Sequence, residues 1–199
     1  MMVAGPRRSG KTEFTKRCIE ESERWIDVKI DQFIWYYANE QSIQQSQLHV
    51  RKNVEFRKNL PEYDLETEFS GAENVLVIID DLMEEANKRS DVKSLFTRGR
   101  HLSVSIIFLS QNLFHRGKSN RDISLNTDYM VLFKNARDVS IVGNLAQQMG
   151  CAKFMKWAYK DATQTPYSYL LIDLRSDTPE KLRFRSNLFS PRQIVYEKL

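Results

Sequence analysis

A chain of 199 residues, 41% of them hydrophobic and 28% charged, is long enough to bury a core and sits near the upper end of one ordinary domain, so a single domain over 1–199 is expected. No run approaches the roughly 18 apolar residues of a membrane span, the N-terminus lacks an apolar signal segment, and Cys18 and Cys151 make no disulfide framework; an intracellular, reducing setting with no need of a membrane follows. The net charge of +4 permits nucleic acid without requiring it, and His49, His101 and His115 stand apart, which argues against a structural zinc site.

Met1 to Ala4 supplies a short strand, and Gly5-Pro6-Arg7-Arg8-Ser9-Gly10-Lys11-Thr12 then matches G-x-x-x-x-G-K-[ST] in full. The glycines of that pattern let backbone N–H groups turn around phosphate oxygens, and the following helix, expected over Lys11 to Glu23, adds the partial positive charge of its N-terminus. Gly5 to Thr12, with the adjoining Glu13, is therefore the candidate segment for ATP: Lys11 reaches the β- and γ-phosphates and Thr12 offers a hydroxyl to Mg²⁺. The stretch from Ala38 to Lys52 is rich in glutamine and reads as an exposed helix or a disordered segment without chemistry.

Val75-Leu76-Val77-Ile78-Ile79 is the first of three apolar runs that lack alternation, the pattern of strands covered on both faces. It ends in Asp80-Asp81. An acid at that position holds the Mg²⁺ shell, so Asp80 is the candidate metal residue, and Asp81 is placed to orient or deprotonate the attacking water. The simpler reading of Asp81 is an acid capping the next helix, expected over Leu82 to Phe96. After Arg98-Gly99-Arg100-His101 comes the second run, Val104 to Leu109, tipped by Ser110-Gln111-Asn112, where Gln111 is the candidate sensor of the γ-phosphate.

Basic residues then gather at His115, Arg116, Lys118 and Arg121; similar groups occur at Arg51, Lys52, Arg57 and Lys58 and at Arg183 and Arg185, and a solvated surface is the plain reading of each. Tyr129 to Phe133 is the third apolar run, followed by a helical stretch from Val139 to Tyr159 broken near Gly150. Tyr167 to Leu174 alternates, and beyond Pro179 the pattern resumes at Leu182 to Arg185, which predicts an antiparallel hairpin on one sheet edge. The alternation of strand and helix before it predicts an α/β fold with a mainly parallel sheet flanked by helices and its functional loops at the C-terminal strand ends.

With these elements located, the sequence resembles the FtsK–HerA branch of P-loop ATPases, and within it the DNA-packaging ATPases of poxviruses, giant viruses and related virus-like transposons. The resemblance rests on GPRRSGKT, VLVIIDDLMEEA, LFTRGRH, IIFLSQNLFHRGKSNRDISLN, LFKNARD, DAT and YLLIDL, which span nearly the whole chain. It implies a RecA-like ASCE fold, a ring of five or six subunits around double-stranded DNA, and Mg-ATP hydrolysed between neighbours in an infected cell's virus factory or nucleus, or in association with the virion. A capsid vertex protein or a terminase-like nuclease is an implied partner. It assigns Lys11, Thr12, Asp80 and Gln111 their roles above, while the trans-acting arginine is left among Arg100, Arg98 and Arg137, with Arg100 first. DNA is expected on Arg116, Lys118 and Arg121. Many members carry Glu where this chain has Asp81, and most have more sequence before the phosphate loop, so a clipped start is expected. The competing readings are a nucleoside or nucleotide kinase, with His115 to Arg121 as its lid, and a nucleotide-gated binding protein without turnover.

Overall fold

The computed structural model describes residues 1–38, 50, 52–98, 102–111, 126–137 and 140–198. They form two compact units: residues 1–11, 111, 127–137 and 140–198 make the first, and 12–38, 50, 52–98, 102–110 and 126 the second.

The second unit holds helix α1 (Lys11–Glu20), which starts at the unit boundary, and α2 (Ser22–Trp25). It continues with strands β2 (Gln32–Tyr37) and β3 (Val54–Lys58), helix α3 (Leu65–Glu68), strand β4 (Val75–Asp80), helices α4 (Met83–Lys88) and α5 (Ser90–Arg98), and strand β5 (Val104–Ser110). Its strands run in the order β3-β2-β4-β5 and every pairing is parallel. Val75 to Asp80 is buried at every residue, as an unbroken apolar run in a parallel sheet requires.

Strands β2 and β3 went unread in the sequence. Phe33, Ile34, Trp35 and Tyr36 are all buried, and Trp35 stacks on Phe56 with ring centroids 5.8 Å apart. Burial pushes the Tyr36 phenol up to about 12, against the opposing effect of Arg57, so it stays protonated and donates to Glu68 Oε2 at 2.8 Å. Arg57 donates to Tyr36 Oη at 3.2 Å and also pairs with Glu68, which ties β2 and β3 to α3.

The helix expected over Leu82 to Phe96 is two helices. Arg89 takes an extended conformation (φ −102°, ψ 126°), and its guanidinium donates to the carbonyls of Pro61 and Tyr63 and to Asp91. Asp91, buried in the first turn of α5, also accepts the Leu65 N–H at 3.0 Å. Local helix propensity yields here to tertiary hydrogen bonds that a straight helix would not reach. The first predicted helix is similarly divided, ending at Glu20 before α2 begins. The Ala38 to Lys52 segment lies outside the described residues except for 38, 50 and 52.

In the first unit, β1 (Met2–Ala4) pairs in parallel with β6 (Tyr129–Phe133), and β7 (Tyr169–Asp173), β8 (Phe184–Ser186) and β9 (Ile194–Tyr196) add on antiparallel in that order. The expected C-terminal hairpin is thus present and gains a third strand. Helices α6 (Ser140–Gln148) and α7 (Ala152–Ala162) flank it, and Gly150 turns between them at φ +66°. Tyr159 of α7 donates to the Phe133 carbonyl at 3.0 Å and accepts the Asn135 N–H at 2.9 Å, while Tyr196 donates to Asp161 at 3.0 Å; one helix therefore fastens the ends of β6 and β9.

Asp173, fully buried at the end of β7, accepts from Arg175 at 3.2 Å and from Arg185 of β8 at 3.0 Å. Burial alone would raise its carboxyl, but the hydrogen bonds of Arg175 hold it below the usual carboxylate range. A depressed folded value adds stability above the unfolded value of about 3.9 and loses it as pH falls through the folded one. Asp173→Ala is expected to cost about 3–5 kcal/mol in urea denaturation near neutral pH, and the gap between variant and parent is expected to narrow as the pH drops below about 4.

Candidate nucleotide-binding site

The phosphate loop follows β1 directly. A β-carbon on Gly5 would stand 2.7 Å from both Phe133 Cβ and Ser9 Oγ, so no side chain fits there without moving β6 or the loop. Ser9 N–H closes a turn onto the Pro6 carbonyl at 3.3 Å, with Arg8 left-handed at φ 61°, and Gly10 follows at φ +106°, a conformation that glycine adopts without strain. Alternating backbone conformations of this kind make concave rows of N–H groups that suit anions. Lys11 folds over the loop, its Nζ donating to Gly5 O at 2.7 Å and Pro6 O at 3.0 Å. Arg7 and Arg8 are exposed, and Ser9 Oγ is buried without a hydrogen-bond partner.

An orphaned hydroxyl, a glycine where a Cβ would collide and an ammonium folded over the same loop fit a polyphosphate. Thr12 and Glu13 then occupy the first turn of α1, where Glu13 pairs with Lys16 at 2.9 Å. The helix is anchored by Phe14, Cys18 and Ile19, and burial pushes the Cys18 thiol well up, which leaves it an inert part of the core.

In the second unit, Asp80 ends β4 opposite Tyr37 of β2 and Leu109 of β5, and it is 9% exposed. The C-terminal tips of these parallel strands therefore bring Asp80 beside the end of β5, where Ser110 is buried. Asp81 leaves the strand path at φ 57° and is exposed. Leu82 takes the cap position of α4, which begins at Met83, so Asp81 stands one residue before the cap. Gln111, half-buried, directly follows Ser110. A strand-tip carboxylate and the Thr12 hydroxyl are hard oxygen donors of the kind Mg²⁺ takes.

Other sequence candidates are distributed differently. Arg100, Arg116, Lys118 and Arg121 lie outside the described residues, while Arg98 ends α5 and Arg137 is exposed, its N–H donating to Asn135 Oδ1 at 3.1 Å. Two of the other basic groups hold structural ion pairs: Lys52 meets Glu23 at 3.0 Å, Arg57 meets Glu55 and Glu68, Arg183 meets Glu180, and Arg185 meets Asp173.

Phe133 and Tyr167 were missed as neighbours of the loop. A β-carbon on Gly10 would lie 3.3 Å from Phe133 Cε1 and 3.4 Å from Tyr167 Cβ and Cδ1. Phe133 was hidden inside an apolar run. Tyr167 was read as the start of a strand, but β7 begins at Tyr169 and Tyr167 sits in the preceding turn.

A phosphate loop between a buried strand and a helix, with an acid-tipped parallel strand and a mainly parallel sheet flanked by helices, defines a P-loop NTPase fold. The chain belongs to the poxvirus A32 protein family, whose model matches residues 26–156, a segment that includes Asp80, Asp81 and Gln111. Among solved structures it is similar to the genome packaging NTPase B204 from Sulfolobus turreted icosahedral virus 2 in complex with AMP, at 12% identity and a TM-score of 0.62 over 100% of this chain and 96% of that one. The same NTPase in complex with ATP-gammaS matches at 15% identity and a TM-score of 0.61, again over 100% and 96% of the two chains. The cytoplasmic domain of the Thermomonospora curvata Type VII secretion ATPase EccC matches at 15% identity and a TM-score of 0.52, covering 89% of this chain and 24% of that one. No curated protein matches the chain.

Gly5→Ala is expected to lower stability by about 1–3 kcal/mol through overpacking. Gly143→Ala, inside α6 where the added methyl meets only Lys156, at 3.4 Å or beyond, is expected to raise it by up to about 1 kcal/mol. Urea midpoints of the two variants beside the parent check both signs.

Proposed function

We propose that this chain is the ATP-hydrolysing motor that drives viral double-stranded DNA into capsids. The observation that carries the reading is the phosphate loop, whose Gly5 admits no side chain and whose Lys11 lies folded over it, in a member of the poxvirus A32 family. Likeness to B204 adds support at the level of fold, since a genome packaging NTPase shares this architecture along nearly its whole length. No observation among the described residues favours the small-molecule kinase.

In this reading residues 1–199 act as one ATPase domain. The loop from Gly5 to Thr12 and Glu13 binds ATP, Lys11 meets the β- and γ-phosphates, and Thr12 with Asp80 holds Mg²⁺. When bound, that ion neutralises charge on the transferring phosphoryl group. Asp81 orients the attacking water and accepts its proton, a role that its exposed position beyond the buried strand tip permits. Gln111 senses the γ-phosphate, and Arg100 reaches a neighbour's nucleotide in a ring of five or six subunits. Arg116, Lys118 and Arg121 contact DNA phosphates without reading sequence. The motor works inside the infected cell, in the virus factory or nucleus, with a capsid vertex protein or a terminase-like nuclease as partner.

Phosphate release and nucleotide titration test the chemistry. Lys11→Ala is expected to lose ATP binding while keeping its fold; unchanged ATP affinity in that variant contradicts the site. Asp81→Asn is expected to retain Mg-ATP and stop turnover, whereas Asp80→Asn weakens the Mg²⁺ dependence. Native turnover in Asp81→Asn would move the base elsewhere, with Glu84 and Glu85 next in sequence.

Salt titration of DNA binding tests the polymer surface. Neutralising Arg116, Lys118 and Arg121 together is expected to flatten log affinity against log salt by about 0.9 for each DNA phosphate left without its cation. An unchanged slope returns these residues to ordinary surface.

A further inference from the structure

Tyr167 has two costs and no structural return within its own turn. Thr165, Pro166, Tyr167 and Ser168 form a turn in which the Ser168 N–H meets the Thr165 carbonyl at 3.3 Å and Ser168 Oγ donates to the same oxygen at 2.7 Å. Proline at the second position and a positive φ at the third, 65° here, are the pattern of a type II turn, whose third position favours glycine or asparagine. A bulky aromatic there is a backbone outlier. The ring is also 70% exposed, the most exposed of the chain's large hydrophobic side chains among the described residues.

What the turn does achieve is placement. Tyr167 stands against Gly10, as does the buried Phe133, so the phosphate loop adjoins one packed aromatic ring and one that faces solvent. A β-carbon on Gly10 would meet Tyr167 at 3.4 Å, an ordinary contact distance, so the ring lies directly against the loop. Strain kept at a residue of this kind points to a ligand contact rather than to packing.

We propose that Tyr167 is the platform for the nucleobase of the bound nucleoside triphosphate, stacking its exposed face on the base while the adjoining loop holds the phosphates. The proposal rests on the nucleotide reading of Gly5 to Thr12, and it assigns to the chain a base contact that lies outside the phosphate-loop motif. Stacking of a base on an aromatic side chain corresponds to about 5- to 150-fold in affinity.

Isothermal titration of the full chain with ATP and with inorganic tripolyphosphate separates the two ideas, since only ATP carries a base. Tyr167→Ala is expected to bind ATP about 5- to 150-fold more weakly and tripolyphosphate as tightly as the parent. Tyr167→Phe keeps the ring and is expected to keep most of the ATP affinity. Tyr167→Gly gives the turn its preferred residue, so it is expected to melt no lower than the parent while binding ATP as weakly as the alanine variant. The proposal is overturned if Tyr167→Ala binds ATP like the parent, or if it weakens ATP and tripolyphosphate alike. A parent that binds both compounds equally tightly would also overturn it and leave the phosphate loop intact, whereas a parent that binds neither would remove the nucleotide reading itself.

Discussion

The hydrogen atom that serves as Gly5's side chain sets the geometry on which the first unit depends. Because a β-carbon there would meet Phe133 Cβ and Ser9 Oγ at 2.7 Å, the chain leaves β1 pressed against the end of β6 and turns at once, so that Lys11 comes back over the Gly5 and Pro6 carbonyls. The same end of β6 is also held by Tyr159, which bonds to the Phe133 carbonyl and the Asn135 N–H. Helix α7 carries that restraint to β9 through Tyr196 and Asp161. The phosphate loop is thus braced by a buried strand end as well as by its own hydrogen bonds from Ser9 and Lys11.

Electrostatics divides the basic residues by neighbour. Arg57, Lys52, Arg183 and Arg185 lie within reach of carboxylates, and Asp173 and Asp91 are buried acids held ionised by arginines. Partly buried pairs of this sort fix the positions of the elements that carry them, since removing one partner strands a charge away from water. The net charge of +4 is therefore a poor guide to a nucleic-acid surface in this chain. In the phosphate loop Lys11 bonds to the carbonyls of Gly5 and Pro6, neutral groups that a polyanion can replace.

Three central strands were legible because their residues answer to burial alone: Val75–Asp80, Val104–Ser110 and Tyr129–Phe133 are apolar runs that both faces of a sheet would cover. The phosphate loop was legible because its glycines and lysine are dictated by local geometry. The features that escaped depend on distant partners. Arg89 breaks a helix for the sake of Pro61, Tyr63 and Asp91, and β3 finds its place beside β2 through Trp35, Phe56 and the Arg57–Glu68 pair. Phe33 to Tyr36 did carry a signal, a continuous buried aromatic and aliphatic run, that was passed over. Tyr167 was read by its alternation with Tyr169, although Pro166 before it already spelled a turn.

The central claim is that ATP hydrolysis at this loop moves the protein along double-stranded DNA. A duplex carrying a short third strand as a triplex tests it directly, because a translocating motor strips the third strand while a kinase or a static binder leaves it in place. The account predicts displacement that requires ATP and Mg²⁺, fails with a non-hydrolysable analogue and is lost in Lys11→Ala. Sustained ATP hydrolysis with the third strand still bound, or phosphate passed from ATP to a nucleoside, would contradict it.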